Sequence, residues 1–332
     1  MRRVVIPEPR RVLLEDVPEP EREGDQALLR VRYVGICGSD VHTYRGSNLL
    51  AKYPVVPGHE LCWEVIESGE GFSPGETVVV EPLLPCGHCY PCRIGRYNCC
   101  ENLKVLGVHV DGGMAEEIVL PGRLLYRLAP GADPSCAPLV ETLSIGYHAC
   151  DRGRVRQGDD VLVIGAGPVG SCAALVAKER GARVAALDTV ESRLGILREM
   201  GIDFCLRAEG DVEKEVVRLF GSNPTVVIEA AGSPETLELG LQVLSAAGRM
   251  VFLGWTAESP RWRPDHFLRR ELELVASRNS AGIFPQVVEF YGKNQDKVRR
   301  LVTHRFKMDR IEEAMRLTDT SGSDTMKVIM EW

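Results

Sequence analysis

Two rhythms of hydrophobic residues divide the chain. Up to about residue 140 the apolar runs are short and broken by Pro and Gly, at 26–34, 60–67, 76–81 and 114–120. Such punctuation predicts β-strands joined by irregular loops. The rhythm then changes: Val161–Ile164 is an apolar run suited to a buried strand, Gly165–Gly170 leads into a small-residue helical pattern over 172–180, and 183–187 returns to strand. These three pieces form one βαβ unit. Further strands are predicted at 225–228, 249–253 and 272–276, separated by helices at 191–200, 212–220 and 235–246. Alternation of this kind predicts a parallel, doubly wound sheet. After Arg278, helical patterns at 284–291 and 310–317 precede a strand-like 326–330, with no repeat and no low-complexity segment.

Composition narrows the class. A length of 332 residues suits two domains, and 44% hydrophobic with 26% charged residues is ordinary for a soluble enzyme. No run approaches the roughly 20 apolar residues of a membrane span. The start, Met1 to Pro9, has two early basic residues but is interrupted by Pro7, Glu8 and Pro9, so a signal peptide is not expected and the cytoplasm is. A net charge of -7 argues against a nucleic-acid partner. Of the 11 cysteines, five fall between residues 86 and 100. That odd total and that clustering favour metal binding in a reducing compartment over a disulfide framework.

Three constellations carry chemistry. Cys86, Cys89 and Cys92, followed by Cys100, have the spacing of a closed tetrahedral sulfur site and predict a structural zinc. Cys99 could replace Cys100 as the fourth ligand, and His88 reads as a loop residue. Gly165-Ala-Gly167-Pro168-Val169-Gly170 fits the dinucleotide fingerprint, lying between a predicted strand and helix, with Asp188 at the end of the next strand. The first glycine makes the turn, the second admits the pyrophosphate and the third lets helix pack on strand. A carboxylate at Asp188 can accept ribose hydroxyls and would repel a 2'-phosphate, which favours NAD over NADP. Arg193, nearby in sequence, could complicate that preference; its ordinary reading is that it lies against the adenine or points to solvent. Finally, Cys37-Gly38-Ser39-Asp40-Val41-His42 and Gly58-His59-Glu60 offer a thiol, an imidazole and a carboxylate. Together these could hold a zinc with an open position. Singly, each has an ordinary reading as a buried thiol, a loop histidine or a solvated carboxylate.

In their order and over nearly the whole chain, these four motifs resemble the zinc-dependent medium-chain dehydrogenase/reductase family. The resemblance implies an α/β fold, with a Rossmann doubly wound parallel sheet plus a β-rich GroES-like catalytic domain. It places the catalytic domain and its zinc lobe at 1–141, the NAD-binding domain at 142–278 and a return to the catalytic domain at 279–332. Two zinc ions and NAD are the implied cofactors. Cys37, His59 and Glu60 would hold the catalytic zinc, Glu141 would lie near its water or exchange with it, Ser39 would take the alcohol's proton and His42 would pass it outward. Asp40 would orient a ligand histidine. Glu141, in Leu139-Val-Glu141-Thr, stands where ethanol-type enzymes have a cysteine and is similar to sorbitol and sugar-acid (galactonate, gulonate, idonate) dehydrogenases. The implied activity is hydride transfer between a secondary alcohol of a polyol or sugar acid and NAD, in a homodimer or homotetramer. A threonine-type dehydrogenase and a non-catalytic dinucleotide sensor are the alternatives. Trp63 and Thr142 depart from the family's usual glycine and proline; Trp63 reads either as a wall of the site or as a core aromatic. Arg278 and His109 are candidate substrate contacts, each with an ordinary surface or loop reading beside it.

Overall fold

Strands in the middle of the chain form where Val, Leu and Ala run without a polar face. All five residues of Asp160–Ile164 are buried, as are the last five of Arg183–Asp188, the pattern of strands covered on both sides. The computed structural model describes residues 1–69, 71–320 and 325–332. It divides the chain into two compact units, Met1–Glu141 with Ala281–Trp332, and Thr142–Ser280. The first boundary falls in the opening turn of helix Leu139–Arg152. Among the described residues no helix is long and apolar enough to cross a membrane.

The unit Thr142–Ser280 contains a six-stranded, wholly parallel sheet in the order Phe204–Arg207, Arg183–Asp188, Asp160–Ile164, Val226–Glu229, Arg249–Phe252, Glu273–Ala276. This is the doubly wound arrangement expected. The chain builds outward from Asp160–Ile164 in one direction and restarts at Val226–Glu229 on its other side, so the crevice beyond those two strand ends is a topological switch point. Phe204–Arg207 was not predicted: a four-residue, partly buried edge strand gives neither alternation nor an apolar run. Helix Pro168–Glu179 begins four residues before the predicted pattern, because Pro is at ease at a first helical position.

The other unit holds a sheet of seven strands. Val302–Lys307, Lys327–Glu331, Ala27–Ile36, Glu60–Glu67, Thr77–Val80 and Leu125–Arg127 follow in spatial order, and Glu117–Leu120 pairs with Ala27–Ile36. Ala27–Ile36 therefore lies between a strand from the far end of the chain and Glu60–Glu67, with Gly35 opposite both Ile329 and Glu60. The hairpin Arg2–Glu8 with Arg11–Asp16 was also unpredicted, since Pro7 interrupts it. Trp63 is fully buried, its ring packed where a Cβ on Gly113 would come within 2.4 Å. It is a core aromatic, not a wall of the site.

Beneath the parallel sheet, at the strands' N-terminal ends, Arg249 Nη2 donates to Asp159 Oδ1 at 2.5 Å, and Thr225 Oγ1 donates to the same oxygen at 2.9 Å. Arg249 Nη1 also donates to the Arg154 carbonyl at 3.0 Å. Arg249 and Asp159 are both buried, so removing one partner strands the other's charge. Asp159→Ala is expected to cost about 3 kcal/mol, read as a lower midpoint in chemical denaturation; an unchanged midpoint would show the pair is dispensable.

Candidate functional site

Asp40 organises the first cluster. Cys37 ends the segment after strand Ala27–Ile36 and caps helix Gly38–Arg45, and Asp40, in that helix's first turn, folds back so that its Oδ2 accepts from the Cys37 N–H at 2.9 Å. Its Oδ1 lies 3.4 Å from the Gly58 N–H and 3.7 Å from His59 Nδ1. One carboxylate thus holds two segments that sequence separates. Cys37, His59 and Glu60 each present a ligand atom, and the three atoms lie within 4.8 Å of one another. Glu60 Oε1 accepts from Lys327 Nζ at 2.5 Å, and neither side chain is more than 3% exposed. Gly35 is required here: a Cβ on it would come within 2.0 Å of Glu60 Oε2.

The local field is strongly anionic. Burial pushes the Glu141 carboxyl up to about 7; Glu60 and Asp40 add to this, while His59 and Lys327 oppose it. Burial likewise raises Asp40, against the opposing charge of His59. Burial pulls His59 down, but Asp40, Cys37 and Glu141 outweigh it and hold the imidazole well above its ordinary value. Lys327 is raised in the same way by Glu60 and Cys37 against its own burial. Acidic side chains gathered around His59 give the cluster negative potential to offer a cation, and His59 Nδ1 is buried with no hydrogen bond. One sulfur, one nitrogen and one oxygen donor suit zinc with a coordination position to spare. The donor set fits the metal.

Around this cluster, Ser39 lies on the first turn of the helix that Cys37 caps. His42 follows on the same helix, exposed, with Nδ1 3.0 Å from Ser47 Oγ. Thr142 is buried beside Glu141 in sequence. His109 is exposed and its Nδ1 accepts from the Val105 N–H at 3.2 Å, closing a turn; Arg278 is exposed.

Cys86, Cys89, Cys92 and Cys100 converge, with one sulfur from each within 4.8 Å of the others. Cys99 is not among them, and His88 is exposed with Nδ1 2.9 Å from the Cys86 carbonyl. The Cys100 sulfur accepts from the backbone N–H groups of Cys86 at 3.2 Å and Asn102 at 3.3 Å. Backbone N–H groups of His88 and Cys89 draw the Cys86 thiol down to about 6. Four thiols with such donors suit a closed zinc site.

In the second unit the fingerprint glycines divide the work. Gly165 has φ +96°, and a Cβ on it would come within 2.8 Å of Ala231 N. A Cβ on Gly170 would come within 1.8 Å of the Gly165 carbonyl oxygen, whereas one on Gly167 would meet nothing within 4 Å. Turn, tight packing and open approach fall to separate glycines. Helix Pro168–Glu179 starts at Gly167 with no side-chain cap, leaving its first amides for an anion; Val169 lies in that first turn. Asp188 ends its strand with Oδ2 accepting from Ala166 N–H at 2.7 Å and Oδ1 from Val190 N–H at 2.8 Å. Arg193 Nη1 is 3.6 Å from Asp188 Oδ2, so Arg193 turns towards that carboxylate.

Sequence reasoning missed Lys327 and Glu229. Each had a signal: a lone lysine inside Met326-Lys-Val-Ile-Met330, and a glutamate ending the apolar run Val226-Val-Ile-Glu229.

Comparison with known proteins agrees with this architecture. Residues 23–130 match the alcohol dehydrogenase GroES-like domain, and 168–293 match the zinc-binding dehydrogenase model. Mouse (Mus musculus) sorbitol dehydrogenase is 33% identical over 94% of this chain and 90% of its own. L-galactonate-5-dehydrogenase of Escherichia coli K12 is 30% identical over 91% of each. The solved structure of RspB from E. coli CFT073, complexed with NADH, has a TM-score of 0.93 at 32% identity, covering 100% of this chain and 99% of that one. A putative zinc-binding dehydrogenase of Sinorhizobium meliloti, bound to NADP, has a TM-score of 0.94 at 27% identity with the same coverage. Two family models in sequence, on a medium-chain dehydrogenase fold, place this chain in the zinc-binding alcohol dehydrogenase family of oxidoreductases.

Proposed function

We propose that the protein oxidises a secondary hydroxyl of a polyol or sugar acid, reversibly, with NAD as hydride acceptor. The observation that carries this reading is the convergence of half-buried Cys37 with buried His59 and Glu60, close enough to Glu141 for their charges to act on it. Cys37, His59 and Glu60 hold one zinc ion, and Cys86, Cys89, Cys92 and Cys100 hold a second. Bound zinc supplies Lewis acidity to a hydroxyl, and bound NAD supplies the hydride acceptor. The chain's own groups do the rest. Asp40 keeps the Cys37 and His59 segments in register, and Lys327 fixes Glu60 through one oxygen. Ser39 takes the hydroxyl proton and His42 hands it outward, with Ser47 as the next hydroxyl in line. Glu141 supplies a carboxylate beside the metal position. The similarity to sorbitol and L-galactonate-5-dehydrogenases supports a polyhydroxylated substrate.

NAD is favoured over NADP by Asp188, whose carboxylate closes the end of its strand and repels a 2'-phosphate; Gly165, Gly167, Pro168, Val169 and Gly170 receive the pyrophosphate, and Arg193 lines the adenosine side. The assembly is a homodimer or homotetramer acting in the cytoplasm.

A spectrophotometric screen of hexitols, hexonates and threonine with NAD and added zinc tests the substrate class. Reduction of NAD with a hexitol or hexonate is expected; turnover of threonine alone would reverse the choice. Glu60→Ala is expected to abolish turnover and remove one of the two zinc ions while NADH still binds, and full activity in this variant would sink the metal assignment. Asp188→Ala should erode the preference for NAD over NADP by roughly tenfold, the effect of losing a charge-assisted hydrogen bond. An unchanged cofactor ratio would remove the basis for NAD.

A further inference from the structure

Glu229 is the last residue of strand Val226–Glu229 and is completely buried. Its Oε1 accepts from the N–H of Ala231 at 2.9 Å and the N–H of Gly232 at 2.7 Å, and lies 2.9 Å from the Thr236 hydroxyl, whose one proton it shares with the Ser233 carbonyl, also at 2.9 Å. Its Oε2 has no hydrogen-bond partner and lies beneath Gly254, where a Cβ would come within 2.8 Å of it. A buried carboxylate satisfied through one oxygen is an expensive way to close a turn. The next helix does not need it: Ser233 caps Pro234–Val243 through a reciprocal capping box with Thr236.

What the carboxylate holds is the second wall of the switch-point crevice. Across from it stands the glycine loop after Asp160–Ile164. A Cβ on Gly165 would come within 2.8 Å of Ala231 N and 3.0 Å of the Ala230 carbonyl carbon, and one on Gly170 within 3.3 Å of Ala230 Cβ. On the other side Gly232 meets Gly254 and Trp255, with a Cβ on Gly232 falling 2.8 Å from Trp255 N. The Ala230–Gly232 turn is therefore wedged between the glycine loop and the turn after Arg249–Phe252. No methyl group separates the layers, so a shift of the turn passes directly to both.

We propose that Glu229 is a positioning residue for the dinucleotide: by gathering the Ala231 and Gly232 N–H groups and the Thr236 hydroxyl onto one oxygen, it fixes the turn that sets the place of Gly165 and Gly170. This rests on the reading above that the Gly165–Gly170 loop receives NAD. Glu229 acts through the backbone of that turn, which packs on Gly165 and Gly170.

The test is titration of the zinc-loaded full-length protein with NADH, followed by its fluorescence, which returns affinity and stoichiometry separately. Glu229→Leu keeps the volume and removes the acceptor, and should raise the Kd by about tenfold or more. Glu229→Gln, whose amide oxygen accepts the same three donors, should stay within about threefold. Thr236→Val, which removes one donor together with the Thr236 half of the capping box, should weaken binding about two- to threefold, whereas Ser233→Ala, which weakens the cap alone, should leave the Kd unchanged. A wild-type Kd in Glu229→Leu, with only the stoichiometry reduced, would show a role in folding alone and overturn the inference. So would equal losses in the Gln and Leu variants. If Glu229→Leu does not fold, Thr236→Val decides, and an unchanged Kd there counts against the inference. Should the unaltered protein bind neither NADH nor NADPH, the functional reading falls first and takes this inference with it.

Discussion

A lysine and a glutamate 267 residues apart meet in the interior of the first unit, Lys327 Nζ donating to Glu60 Oε1 at 2.5 Å. Lys327 and Glu60 sit on strands flanking Ala27–Ile36, so their pairing clamps the sheet across the strand that leads to Cys37. Removing one partner of such a pair leaves a buried charge worth about 3–5 kcal/mol against the fold. The same contact occupies one oxygen of Glu60, and the missing side chain at Gly35 makes room for the other. Stability and ligand geometry are thus set by one interaction, not by two that have to be reconciled.

The two candidate sites use opposite means. The metal cluster is built from side chains that converge from separated segments and would repel one another without Lys327 or a cation. The dinucleotide crevice is built from backbone, with glycines removing Cβ atoms at two tight contacts and leaving open space at a third. In the first, charge balance decides the geometry; in the second, excluded volume does. Glu229 belongs to the second kind although it is a charged residue, since its work is to hold backbone in place.

Legibility followed the same division. The glycine fingerprint and the cysteine lobe were readable because their parts are local: turn, helix start and acidic strand end fall in a fixed order, and four thiols fall within 15 residues. The parallel sheet was readable wherever strands were buried on both faces, and unreadable at Phe204–Arg207, whose half-buried edge carries no pattern. Cys37, His59 and Glu60 could be named from their donor types but chosen over their ordinary readings only by resemblance, because what unites them is a bend made by Asp40 and a hydrogen bond to Gly58. Lys327 was passed over for a related reason. Inside an apolar strand a lysine reads as an interruption until its partner from the other end of the chain is known.

That remote pairing has a bearing on biosynthesis. A nascent chain released as far as residue 300 already contains Cys37, Asp40, His59, Glu60 and Glu141, but not the ammonium that lets Glu60 be buried among them. The acidic pocket is consequently the last part of its unit to reach electrical balance, however early its other side chains leave the ribosome.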